Sequence, residues 1–511
     1  MNIIKSISLL AILVLCNFIA KAQQPSNTTR SNILYQALDL EIDSNHTTSK
    51  WNIGMINYTK IHKTEAAFQR IIDKKSQQKI EMNKDKNVKY ETKDSLYSPN
   101  IGRRFESNSF NGLTPPDNTL AISKDGFIVS AINTNVSYFD TLGNSLFTSS
   151  FDDLINDSTL NSLMFDPLIQ YDSKEDRFVM FVLHGFTDST TKVISMFSKT
   201  SNPLDGWYVY YLDGSPMHDS TLFDYPKLGI SDSSIFVSGN LFSETRIYKE
   251  SVVFQIDKYS AYQGDTLKWA YWNNFDQNPF TLVPVSYGHK GNYGSQMYFI
   301  SSFSWFDTIN MIPYLRIFHL NSTLNDTNPQ MSFYSQILPF NIPGHAMQKG
   351  TTVLLSINKP NILDAFYLNG FIHFVYTSEF ANTYSGLNYN RLNLSNMTNW
   401  HSVYGNNGFD CAFPSLASFT TDSTDKSVMI TYLRSGATIY PESRVIYCDD
   451  DGNWSGSSLI KEGEMYVTAA SGNVARWGDY TDVSRDHNSP YPKVWTHACF
   501  GDIKITGSYT L

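Results

Sequence analysis

Charge is scarce in this chain, cysteine scarcer still, and no apolar run beyond residue 22 is long enough to cross a bilayer. Charged residues make up 17% of the sequence, the net charge is −9, and the 39 Lys and Arg residues form no dense basic stripe. Phosphate backbones are bound by clustered cations, so nucleic acid is excluded as a partner. A membrane span needs about 20 consecutive apolar residues, so no transmembrane segment is expected. Of four cysteines, Cys16 falls in the leader, and Cys411, Cys448 and Cys499 lie in the last quarter. Three thiols leave at least one unpaired. Either one bridge forms there, with Cys411–Cys448 preferred, or all three are small buried hydrophobes. None has the C-x-x-C spacing of a metal or redox site. There is also no G-x-S-x-G elbow, no H-E-x-x-H and no phosphate loop, so no organic cofactor is expected. The ring described below could bring His184, His401 and His497 together, but their spacing does not argue for it.

What is present begins with a targeting segment. Lys5 precedes an apolar core from Ile7 to Leu15, and Ala20-Lys-Ala22 fits a small-x-small cleavage site. Residues 1–22 are therefore read as a signal peptide, with Gln23 as the mature start. Leu15 is too bulky to precede a lipidated Cys16. The expected location is secreted, periplasmic or cell-surface. Residues 23–110 form an N-terminal leader or spacer. Its one helical stretch, Glu65 to Met82, carries a thin stripe of Phe68, Ile71 and Ile72 and is expected to dock on the main body. A Lys- and Asn-rich run follows to about Asn100.

From residue 111 to 511 the chain repeats one phrase: a proline, a hydrophobic alternation, an Asp- or Gly-bearing turn, and a second hydrophobic run. The anchors are Pro116, Pro167, Pro226, Pro284, Pro414 and Gly478. A seventh member, Leu363-Asp-Ala-Phe-Tyr-Leu-Asn-Gly-Phe-Ile-His-Phe-Val-Tyr, keeps the alternation without the proline. A unit of roughly 50–60 residues holds four strands of about five residues with their turns. Such sheets bury both faces and hide most edges when arranged radially. The expected fold is all-β, a seven-bladed β-propeller with six or eight blades left open, preceded by a mostly irregular leader with one helix. Asn321 to Gly350 is expected as an inserted surface loop.

In a propeller the anchors begin the inner strands. Asp117, Asp166, Asp224, Asp364 and Asp479 would then converge at one mouth of the central channel, with Arg476 and Trp477 on the same rim. Crowded carboxylates need a cation, a basic side chain or backbone donors to compensate them. One reading is a ligand or Ca²⁺ site; the other is that each Asp caps its own strand or turn. Asp125, Asp172, Asp232 and Asp486 fall in the following turns as ordinary turn residues. Asp-Ser/Thr triplets at Asp140, Asp157, Asp188, Asp219, Asp265 and Asp307 look like the O-glycosylation acceptor of exported Bacteroidetes proteins, and equally like turns. Aromatic residues make up 14% of the chain, which suits sugar stacking and also suits strand packing.

Pro115-Pro-Asp-Asn, Asp166-Pro-Leu-Ile-Gln-Tyr-Asp with Asp176-Arg-Phe, Asn202-Pro-Leu-Asp-Gly-Trp-Tyr, Phe223-Asp-Tyr-Pro-Lys-Leu-Gly and Arg476-Trp-Gly-Asp-Tyr together resemble secreted bacterial sialidase-like β-propeller proteins of Bacteroidetes type. The resemblance covers about Gly112 to the end. It implies a propeller and export, and for most members no established reaction. True sialidases need an arginine triad, a tyrosine nucleophile with a carboxylate partner, an Asp acid/base, and repeated S-x-D-x-G-x-T-W boxes. Here Asp450-Asp-Gly-Asn-Trp454 is one residue short of such a box. Pro313-Tyr-Leu-Arg-Ile-Phe is only faintly similar to F-R-I-P. Arg177, Arg316, Arg434 and Arg476 assign to no triad. The expected function is binding of a glycan or an extracellular protein by a monomer, with a sialidase-like glycoside hydrolase as the alternative.

Overall fold

Alternating apolar residues commit most of this chain to strands, and short polar turns fold them back on their neighbours. The computed structural model describes residues 28–30, 33–43, 65–84, 97–110, 114–289, 294, 296–302, 313–327, 329–357, 360–381, 383–468 and 472–502. The segment read as a signal peptide lies outside them, as does the Asp307 triplet. Six antiparallel meanders form a ring, a six-bladed β-propeller. Their inner strands are Thr119–Ile122, Met164–Asp172, Thr221–Ile230, Val283–Pro284, Asp364–Leu368 and Asp410–Ser418. Each is followed outward by three further strands in sequence order.

Of the blade counts left open by the repeats, the ring has six rather than the preferred seven. The seventh phrase does fold, but only as a two-stranded hairpin, Asp482–Arg485 with Val494–His497. It sits between blades six and one. Asp482 Oδ2 accepts from Thr119 Oγ1 at 2.8 Å and from the Leu120 amide at 2.9 Å, and Thr481 Oγ1 donates to Phe413 O at 2.7 Å. The hairpin thus fills the seam where the chain's last phrase meets its first.

Blades adhere through apolar faces. Phe181, Phe197 and Tyr210 of blade two meet Phe223, Val237 and Phe254 of blade three in one cluster. Trp207 is fully buried and satisfies its indole N–H on Tyr138 Oη of blade one at 2.9 Å. Burying each such ring contributes about 1.5–3 kcal/mol. Register breaks at the same place in three inner strands, between Phe165 and Leu168, Asp224 and Lys227, and Ala412 and Ser415. The residue before each anchor proline has positive φ there: Asp166 49°, Tyr225 59° and Phe413 53°. Proline cannot donate to the ladder, so the strand bulges around it. That places three non-glycine residues in a left-handed conformation that costs energy.

The leader is stitched to the ring. Thr28–Arg30 adds a fifth, outer strand to blade three, and Leu38–Leu40 does so for blade two. Helix α1 (Glu65–Lys84) buries Phe68 and Ile72 against Leu222, Phe242, Tyr248, Phe280 and Ile342. Lys79 of α1 is fully enclosed. Its Nζ bonds Asp410 Oδ1 at 2.6 Å, His345 O at 2.9 Å and Gly344 O at 3.1 Å. The stretch expected as an inserted loop instead supplies the outer strand of blade four, Met331–Ile337, and a link that buries Leu338, Ile342 and Ala346.

The preferred Cys411–Cys448 bridge is also corrected, since all three cysteines are unpaired. Cys411 faces Arg434 and Cys448 faces Val428, on opposite sides of the same strand. Two strand spacings of about 4.8 Å exceed the Cα reach of a disulfide.

Candidate functional site

The bulged inner strands aim the residues around each anchor at the ring axis. Asp117, Asp166 and Asp479 come together there, with Arg476 paired to Asp479. Asp117 itself has φ 55°. Its Oδ2 accepts from Asn133 Nδ2 at 2.6 Å, and its Oδ1 accepts from the Asp479 amide at 3.2 Å. Asn133 Oδ1 in turn accepts the Asp166 amide at 2.6 Å. Burial, and then the charges of Asp479 and Asp166, push the Asp117 carboxyl well above the usual carboxylate range, against the pull of Arg476. The Arg476 guanidinium is held firmly charged by Asp479 and Asp117.

The remaining members of the expected set separate. Asp364 lies in another part of the axis, near Lys227. It accepts from Ser415 Oγ at 2.7 Å and the Leu416 amide at 2.9 Å, and so caps the neighbouring blade. Asp224 is buried and accepts from the Tyr225 amide at 2.8 Å, a local contact. Trp477 is a core residue, 1% exposed. Its indole N–H donates to Ser356 O at 2.7 Å, and its ring packs edge-on against Phe413. The Trp477 ring therefore lies inside the wall.

Three residues beside the cluster escaped the sequence reading. Lys227 is buried, donates to Leu363 O at 2.9 Å, and sits between the rings of Tyr225 and Tyr480 at 5.3 and 5.0 Å. Burial lowers its pKa, while Asp364 and Asp479 raise it. Tyr225 and Tyr480 are both pushed up, first by burial and then by the surrounding carboxylates. The available signal was a lysine within an otherwise apolar inner-strand phrase.

The cluster is roofed. Ala346, Leu355 and Ile357 of the link pack with Tyr225, Phe413 and Trp477, and α1 lies on the link, with the backbone of Ser76 close against Gly344. The carboxylates are consequently enclosed, and the Arg476 side chain, 32% exposed, is the accessible lip. Among the described residues no group of three or more His, Cys, Asp and Glu is placed to hold a metal ion. Among the described residues, Arg476 is the arginine that acts on Asp117, while Arg316 donates to Tyr314 O at 3.3 Å. Arg434 is held by Glu442, and Arg177 by the carbonyls of Glu175 and Asp176.

No protein-family model matches the chain, and no curated protein is similar to it in sequence. Solved structures with a related fold include a Synechocystis apocarotenoid oxygenase, at 10% identity over 68% of this chain and 72% of that one, TM-score 0.39. An α-L-arabinofuranosidase from Lactobacillus brevis matches at 10% over 67% and 93%, TM-score 0.30. The WD40 domain of SCAP from fission yeast matches at 10% over 68% and 77%, TM-score 0.30. At TM-scores this low the likenesses carry no argument about this chain. No helix among the described residues is long and apolar enough to cross a membrane.

Proposed function

We propose that this chain is an exported binding propeller, secreted or at the cell surface, whose ligand engages the charged cluster on the ring axis without being turned over. The observation that carries the reading is the meeting of Asp117, Asp166 and Asp479 around one arginine. Residues with displaced pKa values gather where a protein does its work. The ligand is a glycan whose hydroxyls accept from Arg476, the accessible lip that the enclosed carboxylates hold in place. A Ca²⁺ partner is less favoured than Arg476 and Lys227 as the compensating charge.

The runner-up is a sialidase-like hydrolase. Asp117, whose carboxyl is pushed well above the usual range by burial and by the charges of Asp479 and Asp166, and the two nearby tyrosines favour it. The solitary arginine counts against it, since that chemistry calls for three around a substrate carboxylate.

The test is glycan-array binding by the full chain, by Arg476→Gln, and by the double variant Asp166→Asn with Asp479→Asn. Loss in both variants with retained melting supports the reading. Unchanged binding would sink it. Release of fluorophore from a sialoside or a common hexoside by wild type, lost in Asp117→Asn, would move the protein to the hydrolase.

A further inference from the structure

A second region of the molecule is built like a recognition site. It lies between blades five and six, at the strand ends away from the anchors, in a cleft of about 240 Å³ lined by Phe371, Arg391, Asn393, Trp400, Lys426 and Asp451. Trp400, on the outer strand of blade five, is 40% exposed. Its ring is nevertheless held in place. The Arg391 guanidinium stacks 4.9 Å from it and is itself fixed by Tyr389 Oη at 2.9 Å, Asp450 O at 2.6 Å and Asp449 O.

Trp400 is also set from its edge by the turn Asp449-Asp-Asp-Gly-Asn453. Asp449 Oδ1 accepts the Asn453 amide at 2.7 Å, Asp449 O accepts the Gly452 amide at 3.1 Å, and Gly452 has φ 89°. A Cβ on Gly452 would lie 2.5 Å from Trp400 Cζ2. The box-like phrase noted in the sequence therefore props an aromatic plate.

Blade one carries the same turn as an internal control. Asp140 takes the Asn144 amide at 2.9 Å, and Gly143 has φ 86°. There the ring against the glycine is Phe105, which is packed on Phe139 and Trp495. One turn seals a cluster, and its counterpart holds a ring open to solvent.

The polar groups around Trp400 complete the site. Lys426 pairs with Asp450 at 3.0 Å and lies over Phe371. Asn393 uses its Oδ1 on Ser395 and keeps its Nδ2 as a donor, while the exposed Asp451 carboxylate is an acceptor. Both cations are already engaged, Arg391 by Tyr389 Oη and the Asp449 and Asp450 carbonyls and Lys426 by the Asp450 carboxylate, so neither is left unpaired for an anionic sugar. A fixed aromatic plane with one donor and one acceptor beside it matches a sugar ring, whose C–H face stacks while vicinal hydroxyls bond at the edge. The geometry points to a binding site for a neutral glycan unit on Trp400, distinct from the axis cluster.

Isothermal titration of the full chain with cello-, xylo-, manno- and laminarihexaose, and with oligogalacturonate as the charged comparator, tests this. At least one neutral hexaose binds, Trp400→Ala weakens it at least tenfold, and Asn393→Ala and Asp451→Ala each weaken it by about threefold or more. Gly452→Ala, which displaces the ring without removing it, also weakens binding. The axis variant Asp166→Asn with Asp479→Asn leaves this titration unchanged. No neutral hexaose binding, a preference for oligogalacturonate, or equal affinity in Trp400→Ala would each overturn the site. Binding lost only in the axis variant would also overturn it while leaving the axis reading intact.

Discussion

The ring axis and the cleft between blades five and six are made from the same kinds of residue, put to opposite ends. Both combine arginine, aspartate and aromatic rings. At the axis, three carboxylates crowd one arginine under a roof of link and helix, and burial with the neighbouring charges pushes the Asp117 carboxyl well above its usual range. At the cleft a surface lysine pairs with Asp450, and the buried arginine serves as backing for an exposed indole. Burial sets what each can do. Enclosed carboxylates make the axis sensitive to pH and to its cover, whereas cations already paired leave the cleft a rigid surface.

The sharpest way to break the contrast is to lift the roof. Lys79→Ala leaves Asp410 buried without its cation and removes three hydrogen bonds from the helix anchor. Stranding one half of a buried pair costs about 3–5 kcal/mol. Urea melts should show that loss, and limited proteolysis should cut α1 early. Trp477→Ala should cost a similar amount, about 3–5 kcal/mol, by emptying the wall behind Arg476. If Lys79→Ala melts like wild type, the helix does not hold the cover in place.

Next is the pH response of the hairpin that closes the ring. Burial raises the Asp482 carboxyl to about 7, against an unfolded value near ~3.9. Below the unfolded value both states are protonated. As pH rises the unfolded chain ionises first, so stability falls between about pH 4 and 7 and then levels. Asp482→Asn can still accept from Thr119 and Leu120, and it abolishes that slope. Full enclosure would make the difference about 4 kcal/mol, and the partial exposure of Asp482 lowers it to about 2 kcal/mol. Relative to wild type, the variant should gain stability at pH 7.5 and none at pH 4. Buried His497, pushed down to about 4 by desolvation, has the opposite sign but is common to both proteins and cancels. Parallel pH profiles would show that Asp482 ionises normally.

How far the sequence carried these two regions differs for physical reasons. The anchors were legible because proline and a period-two run dictate where an inner strand bends, and Asp117, Asp166 and Asp479 beside them do lie near one another. Blade count was not, because the seventh phrase has the same two-run pattern whether or not two more strands follow. Asp224 was misplaced because it flanks a bulge, where one extra residue reverses which side faces the axis. Trp477 was misplaced because its ring packs on Phe413 and its N–H finds Ser356, partners far away in sequence. Lys79 was invisible, since a lysine on a polar helix reads as solvated until the partner, more than 300 residues away, is folded beside it. Asp172, read as a turn residue, does cap Lys174 at 3.1 Å, yet it is also buried against Lys258 at 2.8 Å. At the cleft, the box-like phrase was legible as a turn. The ring it supports comes from a different blade, so periodicity within one unit could not reveal it.

The paired turns give a finer test. Gly143→Ala and Gly452→Ala both place a side chain at positive φ, at a cost of about 1–2 kcal/mol. Their steric consequences differ. The new Cβ at 143 meets Phe105 at 2.7 Å, inside a packed cluster, whereas at 452 it meets Trp400, which can swing into solvent. Thermal melts should therefore rank Gly143→Ala as the more damaging. Reversal of that order would mean that Trp400 is locked more tightly than its exposure implies.

The smallest effect belongs to the ring itself. Trp400→Ala removes an indole that is 40% exposed and whose backing arginine keeps its hydrogen bonds to Tyr389, Asp449 and Asp450. Stability should change by less than about 1 kcal/mol, since truncations at the surface seldom do more. A near-silent melt is the required result for a side chain kept for recognition. A loss approaching that of Trp477→Ala would instead make Trp400 part of the adhesive between blades five and six, and its exposure would then follow from packing.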